Sequence, residues 1–272
     1  MIPALLAIVL SSSPGALIVD NVLFYGDDDK MRILNTGDMV DIVDDATERY
    51  QIKYDTVFGE LDRNVIVDLN SGIGEHELFI FSRGYFDDGE YEKAARLLEI
   101  FSRYFDASSY LPEALYYLGQ SYDAMASRGD SFPGIELNES IHQHYYNGDI
   151  YRVIVREFPD SPFTAKAQYR LINIYRIMNL PWHDSVEIIA EELAMWRAFC
   201  AKYPETDEYV MALSETGYLE RVLYEITRSD DHRSAAVAIF NEIISEYPNT
   251  VYAAYAIVHI HELTTGEQIY KY

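Results

Sequence analysis

The chain has 272 residues, room for one large domain or two smaller ones, and its 49% hydrophobic content with 24 Tyr and 12 Phe excludes a disordered chain. Its 45 acidic side chains against 21 basic ones leave a net charge of −24, a field that disfavours nucleic acid and anionic membranes and suits a basic partner. A single cysteine, Cys200, excludes an internal disulfide and a cysteine-built zinc site, and no stretch of the body approaches the roughly 20 apolar residues that span a bilayer.

The sequence starts with an apolar run, Ile2-Pro3-Ala4-Leu5-Leu6-Ala7-Ile8-Val9-Leu10, followed by Ser11-Ser12-Ser13-Pro14-Gly15-Ala16. That order matches the apolar and small-residue parts of a secretory signal and assigns residues 1–16 to a signal segment with cleavage after Ala16. The basic residues that normally precede such a run are missing, so a short buried strand or an inaccurately called start is the competing assignment. No cysteine follows the run, which disfavours a lipid-anchored form.

From Leu17 to about Leu69 apolar residues alternate with polar ones, the period of half-buried strands. Asn21–Tyr25 precedes the turn Gly26-Asp27-Asp28-Asp29, and Met31–Leu34 runs into Asn35-Thr36-Gly37-Asp38. Met39–Val43 and Tyr50–Tyr54 flank the hairpin turn Asp44-Asp45-Ala46-Thr47, and Phe58-Gly59-Glu60-Leu61 starts a last strand. Five short strands at this spacing predict a small β-barrel over residues 17–72.

Near Glu77 the period changes to that of helices. A first helix holds Phe79, Ile80, Arg83, Phe86 and Asp87 and closes at Gly89, and Glu90–Phe101 makes the second. Then one phrase recurs: an aromatic, often Pro, a Ser or Thr, an aromatic, and Ala. It reads Phe105-Asp106-Ala107-Ser108-Ser109-Tyr110…Ala114, Phe158-Pro159-Asp160-Ser161-Pro162-Phe163…Ala167, Tyr203-Pro204-Glu205-Thr206…Ala212 and Tyr247-Pro248-Asn249-Thr250…Ala256. Pro159, Pro204 and Pro248 fall 45 and 44 residues apart, a period that marks stacked helical hairpins. Each Ser or Thr stands where it caps the following helix, Ser161-Pro162 most clearly. Nine helices are expected, starting near residues 76, 90, 110, 147, 162, 183, 207, 232 and 250, with a polar insertion over 127–147. The fold class is therefore α+β by domains: a barrel, then an all-α superhelix over 76–272 of about four and a half hairpins.

Two resemblances attach to these residues. Leu78, Ser82, Tyr85, Gly89, Tyr91, Ala94, Leu98 and Phe101 stand in the order and spacing of the tetratricopeptide repeat, as do Leu115, Leu118, Gly119 and Tyr122, then Gln168, Leu171 and Tyr175. The stretch from Arg156 to Gln168 resembles the repeat subgroup of the BamD-type outer-membrane assembly lipoprotein and of the periplasmic partner of the Tol–Pal system. The turn Leu34-Asn35-Thr36-Gly37, the strands around it and Gly59 resemble the bacterial Src-homology-3-like domain of cell-wall proteins. Glu60-Leu61 departs from that family's closing Trp-Val, and Asn21-Val22-Leu23 and Tyr25-Gly26-Asp27 depart from its other signatures. The resemblances imply a scaffold of the periplasm or cell envelope, with three readings open: an adaptor, a component of outer-membrane protein assembly, or an accessory of peptidoglycan processing. A cytoplasmic adaptor is the alternative location.

No enzyme motif is present: no Gly-rich phosphate loop, nucleophile elbow or metalloprotease helix. His259 and His261, two apart on a helix, point to different faces, and His142 and His144 sit in the insertion without a third ligand of strong spacing. Cys200 lies inside a repeat helix and reads as a structural thiol, and the aspartate runs at 27–29 and 44–45 read as solvated turns. No catalytic residue, metal or cofactor is assigned. What remains is a surface. In stacked hairpins the first helix of each pair lines the concave side, where a protein or peptide segment binds. Helical spacing places Phe79, Arg83, Phe86, Tyr116, Gln120, Asp123, Tyr169, Asn173 and Arg176 on that side. The barrel is expected to touch the cell wall or a second partner, or to act as a spacer.

Overall fold

A computed structural model describes residues 12–45, 49–130, 132–180 and 185–266. The apolar run Ile2–Leu10 lies outside the described residues, as do Ala46 and Thr47 of the expected hairpin turn. The chain divides into two compact units, Met1–Asp130 and Ser131–Tyr272.

The first unit begins with seven strands: β1 (Ser13–Leu17), β2 (Val22–Tyr25), β3 (Met31–Leu34), β4 (Met39–Asp44), β5 (Arg49–Tyr54), β6 (Val57–Asp62) and β7 (Ile66–Asp68). All pairings are antiparallel, in a five-stranded sheet of order β6-β5-β4-β1-β7 and a separate ribbon β2-β3. Alternation turns Leu17, Phe24, Leu34, Val40, Ile42, Ile52, Leu61 and Ile66 into one core. The expected β region over residues 17–72 is an antiparallel sheet domain in which, among the described residues, β6 and β7 are the sheet edges and no strand pairing closes them into a barrel. The ribbon meets β6 at a bridge between Gly26 and Gly59 and, one residue on, through the Asp27 N–H, which donates to the Phe58 carbonyl at 2.8 Å. Two glycines are needed there, because a Cβ on Gly59 would stand 2.5 Å from the Phe24 ring and 2.6 Å from the Tyr25 carbonyl oxygen.

The five expected strands correspond to β2–β6, and two more are found. β1, at Ser13–Leu17, lies between β4 and β7 in the sheet, with Ala16 and Leu17 fully buried. A cleavage after Ala16 would cut through this central strand.

Three helices complete the unit: α1 (Gly74–Asp87), α2 (Tyr91–Tyr104) and α3 (Leu111–Arg128). Small residues let α1 and α2 cross closely: Ser82, Ala94 and Ala95 are fully buried beside Leu78, Leu98 and Phe101. Between them Gly89 (φ 78°) donates to the Phe86 carbonyl at 3.0 Å and Glu90 N–H to that of Tyr85 at 2.8 Å, the paired bonds of a Schellman turn. The β region is docked on these helices rather than tethered to them. Tyr85 Oη donates to the Ile18 carbonyl at 2.5 Å, and Lys93 Nζ lies 2.9 Å from Asp20.

The second unit holds the hairpin β8 (Ile135–Asn138) and β9 (Gln143–Tyr146), then α4 (Asp149–Glu157), α5 (Pro162–Asn179), α6 (Val186–Lys202), α7 (Tyr209–Thr227), α8 (Asp230–Glu246) and α9 (Val251–Thr265). Successive helices pack on one another, and the cores sit around Trp196, Phe199 and Leu219 and around Phe240, Ile243 and Ala256. The nine helices among the described residues start within three residues of the expected positions. The insertion is not only polar loop but carries the β8–β9 hairpin. Asn138 fixes that hairpin, its side-chain amide donating to the Ile177 and Leu180 carbonyls at the end of α5 at 2.6 and 2.9 Å. Of the four expected caps, Ser161 and Thr250 accept the N–H groups of Phe163 and Ala253. Of the pair Ser108-Ser109, Ser108 accepts the Tyr110 N–H, and the Thr206 hydroxyl instead donates to the Tyr203 carbonyl.

Candidate partner-binding site

On α1, Arg83 stands one turn above Phe79 and points to α3. Its guanidinium lies 3.7 Å from the centre of the Tyr117 ring and pairs with Glu113 at 2.8 Å and, more loosely, with Asp87 at 3.8 Å. A cation over a ring face with a carboxylate at its edge is fixed from two directions. Phe86 meets the same ring edge-on at 4.9 Å and Tyr91 at 5.4 Å, and Tyr116 packs against Tyr117 at 6.0 Å. Partial burial pushes the Tyr117 hydroxyl above its ordinary pKa, so the ring stays neutral beside the arginine. Arg83, Phe86, Tyr116 and Tyr117 thus form one half-exposed aromatic cluster. Gln120 and Asp123 follow along α3, half-buried, with Asp123 already engaged by a neighbour.

Phe79 does not join this surface. It is 6% exposed, stacked on Tyr110 at 5.0 Å and tilted against Phe101 at 5.8 Å, so its ring belongs to the core. Tyr117 is the residue that spacing missed. It lies one helical turn after Glu113 and therefore beside Arg83, a signal present in the sequence but one residue out of phase with the face assigned.

The three residues in the second unit are spent on internal structure. Tyr169 packs on Trp196 at 5.2 Å and Phe199 at 6.2 Å, and Asn173 donates to the Tyr169 carbonyl at 2.9 Å. Arg176 bridges the fully buried Glu192 at 2.6 Å and Glu215 at 2.7 Å. Burial works against the charge of Arg176, but Glu215 and Glu192 outweigh it and raise its pKa. A second buried cluster joins Arg221 to Glu262, Glu225 at 2.9 Å and His259.

Cys200 is half-buried on α6, 4.0 Å from Thr216 Oγ1, and burial pushes its thiol up, away from nucleophilic character. Among the described residues no group of three His, Cys, Asp or Glu side chains is placed to hold a metal ion, and no helix is long and apolar enough to cross a membrane. No protein-family model matches the chain, and no curated protein is significantly similar to it.

Proposed function

We propose that this chain is a non-catalytic scaffold that holds a segment of another protein on the α1–α3 face, and that it works in the bacterial cell envelope. The observation that carries this reading is the cluster around Arg83: half-exposed rings of Phe86 and Tyr116 packed against Tyr117, whose face the Arg83 guanidinium covers. Tyr and Arg anchors of low conformational freedom are what protein interfaces use as hot spots. The small residues at the α1–α2 crossing and the Schellman turn at Gly89 support tetratricopeptide-type repeats for the helix pairs. The strand order and the Gly26–Gly59 contact support a Src-homology-3-like origin for the β region, in an opened form. The envelope location rests on the N-terminal apolar run and on those two resemblances.

The test places a photo-crosslinking amino acid at position 120, in the parent and in an Arg83→Ala/Tyr116→Ala variant, and compares the two in native cells. The scaffold reading expects one discrete crosslinked partner, its capture lost in the double variant while the melting curve is kept. Equal capture by the double variant would remove the α1–α3 face from the proposal. Recovery of the protein from the cytosol alone would remove the envelope.

A further inference from the structure

The outward face of the β2–β3 ribbon is apolar. Leu23, Tyr25, Met31 and Ile33 are 51, 62, 55 and 54% exposed. They are cross-strand neighbours, Leu23 opposite Ile33 and Tyr25 opposite Met31, while Phe24 and Leu34 between them face the core. Phe58 of β6, 47% exposed, extends the patch across the Gly26–Gly59 bridge into a cleft of about 500 Å³. A contiguous apolar surface on a strongly charged chain marks an interaction site. The ribbon also leaves an edge open: among the described residues β3 pairs only with β2, so the outer side of Met31–Leu34 offers unpaired backbone groups.

Charge selects the occupant. Two of the cations beside the patch are already held, Arg32 by Asp28 at 2.7 Å and Arg49 by Asp62 at 3.0 Å, while Lys30 at the turn and Lys53 opposite Phe58 are outnumbered by Asp27, Asp29 and Asp55. Asp29 has no basic partner among the described residues, and the Asp27 carboxylate accepts the Phe58 N–H at 3.2 Å while its own N–H donates to the Phe58 carbonyl at 2.8 Å. The rim is therefore acidic. We infer that β3 is a docking edge for an extended segment of a partner protein in which apolar and basic residues alternate. Its backbone adds a strand beside Met31–Leu34, its apolar side chains cover Met31 and Ile33, and its basic ones meet Asp27 and Asp29. A second copy of this chain fits poorly, because it would bring the same acidic turn and a further −24 charges. This surface is separate from the α1–α3 cluster, and the two proposals fail independently.

The intact protein would be titrated with three synthetic octapeptides: alternating Lys and Val, alternating Glu and Val, and alternating Lys and Pro. Amide NMR shifts and fluorescence anisotropy report binding. The inference expects the Lys–Val peptide to bind, with shifts centred on residues 22–34 and 58. It expects a loss of about tenfold or more for the Ile33→Asp variant, whose exposed position leaves the fold intact. The Glu–Val peptide should not bind. The Lys–Pro peptide, equal in charge but lacking every second strand N–H and the apolar Val side chains, should bind much more weakly, and Arg83→Ala/Tyr116→Ala should bind like the parent. Equal binding of the Lys–Pro peptide, or no effect of Ile33→Asp, would overturn strand addition. Concentration-dependent dimerisation abolished by Ile33→Asp would hand the edge to a second copy instead.

Discussion

Helical spacing assigns Phe79 and Tyr116 to one face, yet their rings do different work. Phe79 is sandwiched between Tyr110 and Phe101, and its truncation leaves a void in the α1–α2–α3 core. Phe79→Ala is expected to cost about 3–5 kcal/mol of stability, whereas Tyr116→Ala costs about 1 kcal/mol or less, as urea unfolding of the two variants would measure. A similar loss from both would mean that Tyr116 is also core. The buried cluster in α7 and α9 yields a pH dependence. Burial first, then the Arg221 charge, lowers the His259 pKa below its ordinary 6.5, with Glu262 and Glu225 pulling the other way. The unfolded chain therefore takes up the proton before the folded one does. Stability from this site is complete above about pH 6.5 and is lost as the pH falls through that value toward the lower folded one. The midpoint of thermal unfolding should drop between pH 7.5 and pH 5.5, and drop less in His259→Gln. An unchanged slope in the variant would assign the effect to another group. Neither role was legible beforehand. Spacing gives a helical face but not how deep each position sits, and the Arg221 cluster joins residues 38 and 41 apart, which no local pattern encodes.

Among whole elements, the helices were legible because their signals are local: a 3.6-residue period, Gly89 at positive φ, and Ser161 followed by Pro. The missed strands lacked such signals. β7 is only three residues long, and β8–β9 lies among Gly, Asn, Ser and His, its place set by distant bonds from Asn138 to the end of α5. β1 was obscured for another reason, since small apolar residues before Leu17 satisfy both a cleavage site and a buried strand. Ser13–Ala16 stand in the sheet, their backbone partners running from Ile42 to Met39 on β4, with Gly15 and Ala16 also opposite Asp68 and Val67 on β7. A chain beginning at Ser13 is expected to keep the parent's melting temperature and strand signal in circular dichroism. A chain beginning at Leu17 should lose that signal and expose the Ile42–Ile66 core to a hydrophobic dye. If both truncations melt alike, β1 contributes nothing to the sheet. If the chain is exported and processed, the cut that leaves this sheet whole falls before Ser13.

For the whole molecule, the excess of 45 acidic over 21 basic side chains is the dominant long-range term. Several of the basic side chains are already consumed within the fold: Arg83, Arg176, Arg197 and Arg221 all sit in carboxylate pairs. What faces solvent is more acidic still, and like charges spread over a compact surface oppose folding until counterions screen them. Exposed pairs such as Arg49–Asp62 and Arg152–Asp149 work in the other direction, but each is worth only about 0–1 kcal/mol. The buried pairs are little affected by salt, because ions do not reach them. Repulsion should therefore win. Raising sodium chloride from about 20 mM to about 300 mM, which shortens the screening length from about 20 Å to about 6 Å, is expected to raise the melting temperature by several degrees. A fall over the same range would mean that attractive surface pairs outweigh the net charge. The same screening should weaken the Lys–Val peptide at the β3 edge, so a melting temperature that rises while peptide affinity falls would trace both effects to the acidic surface.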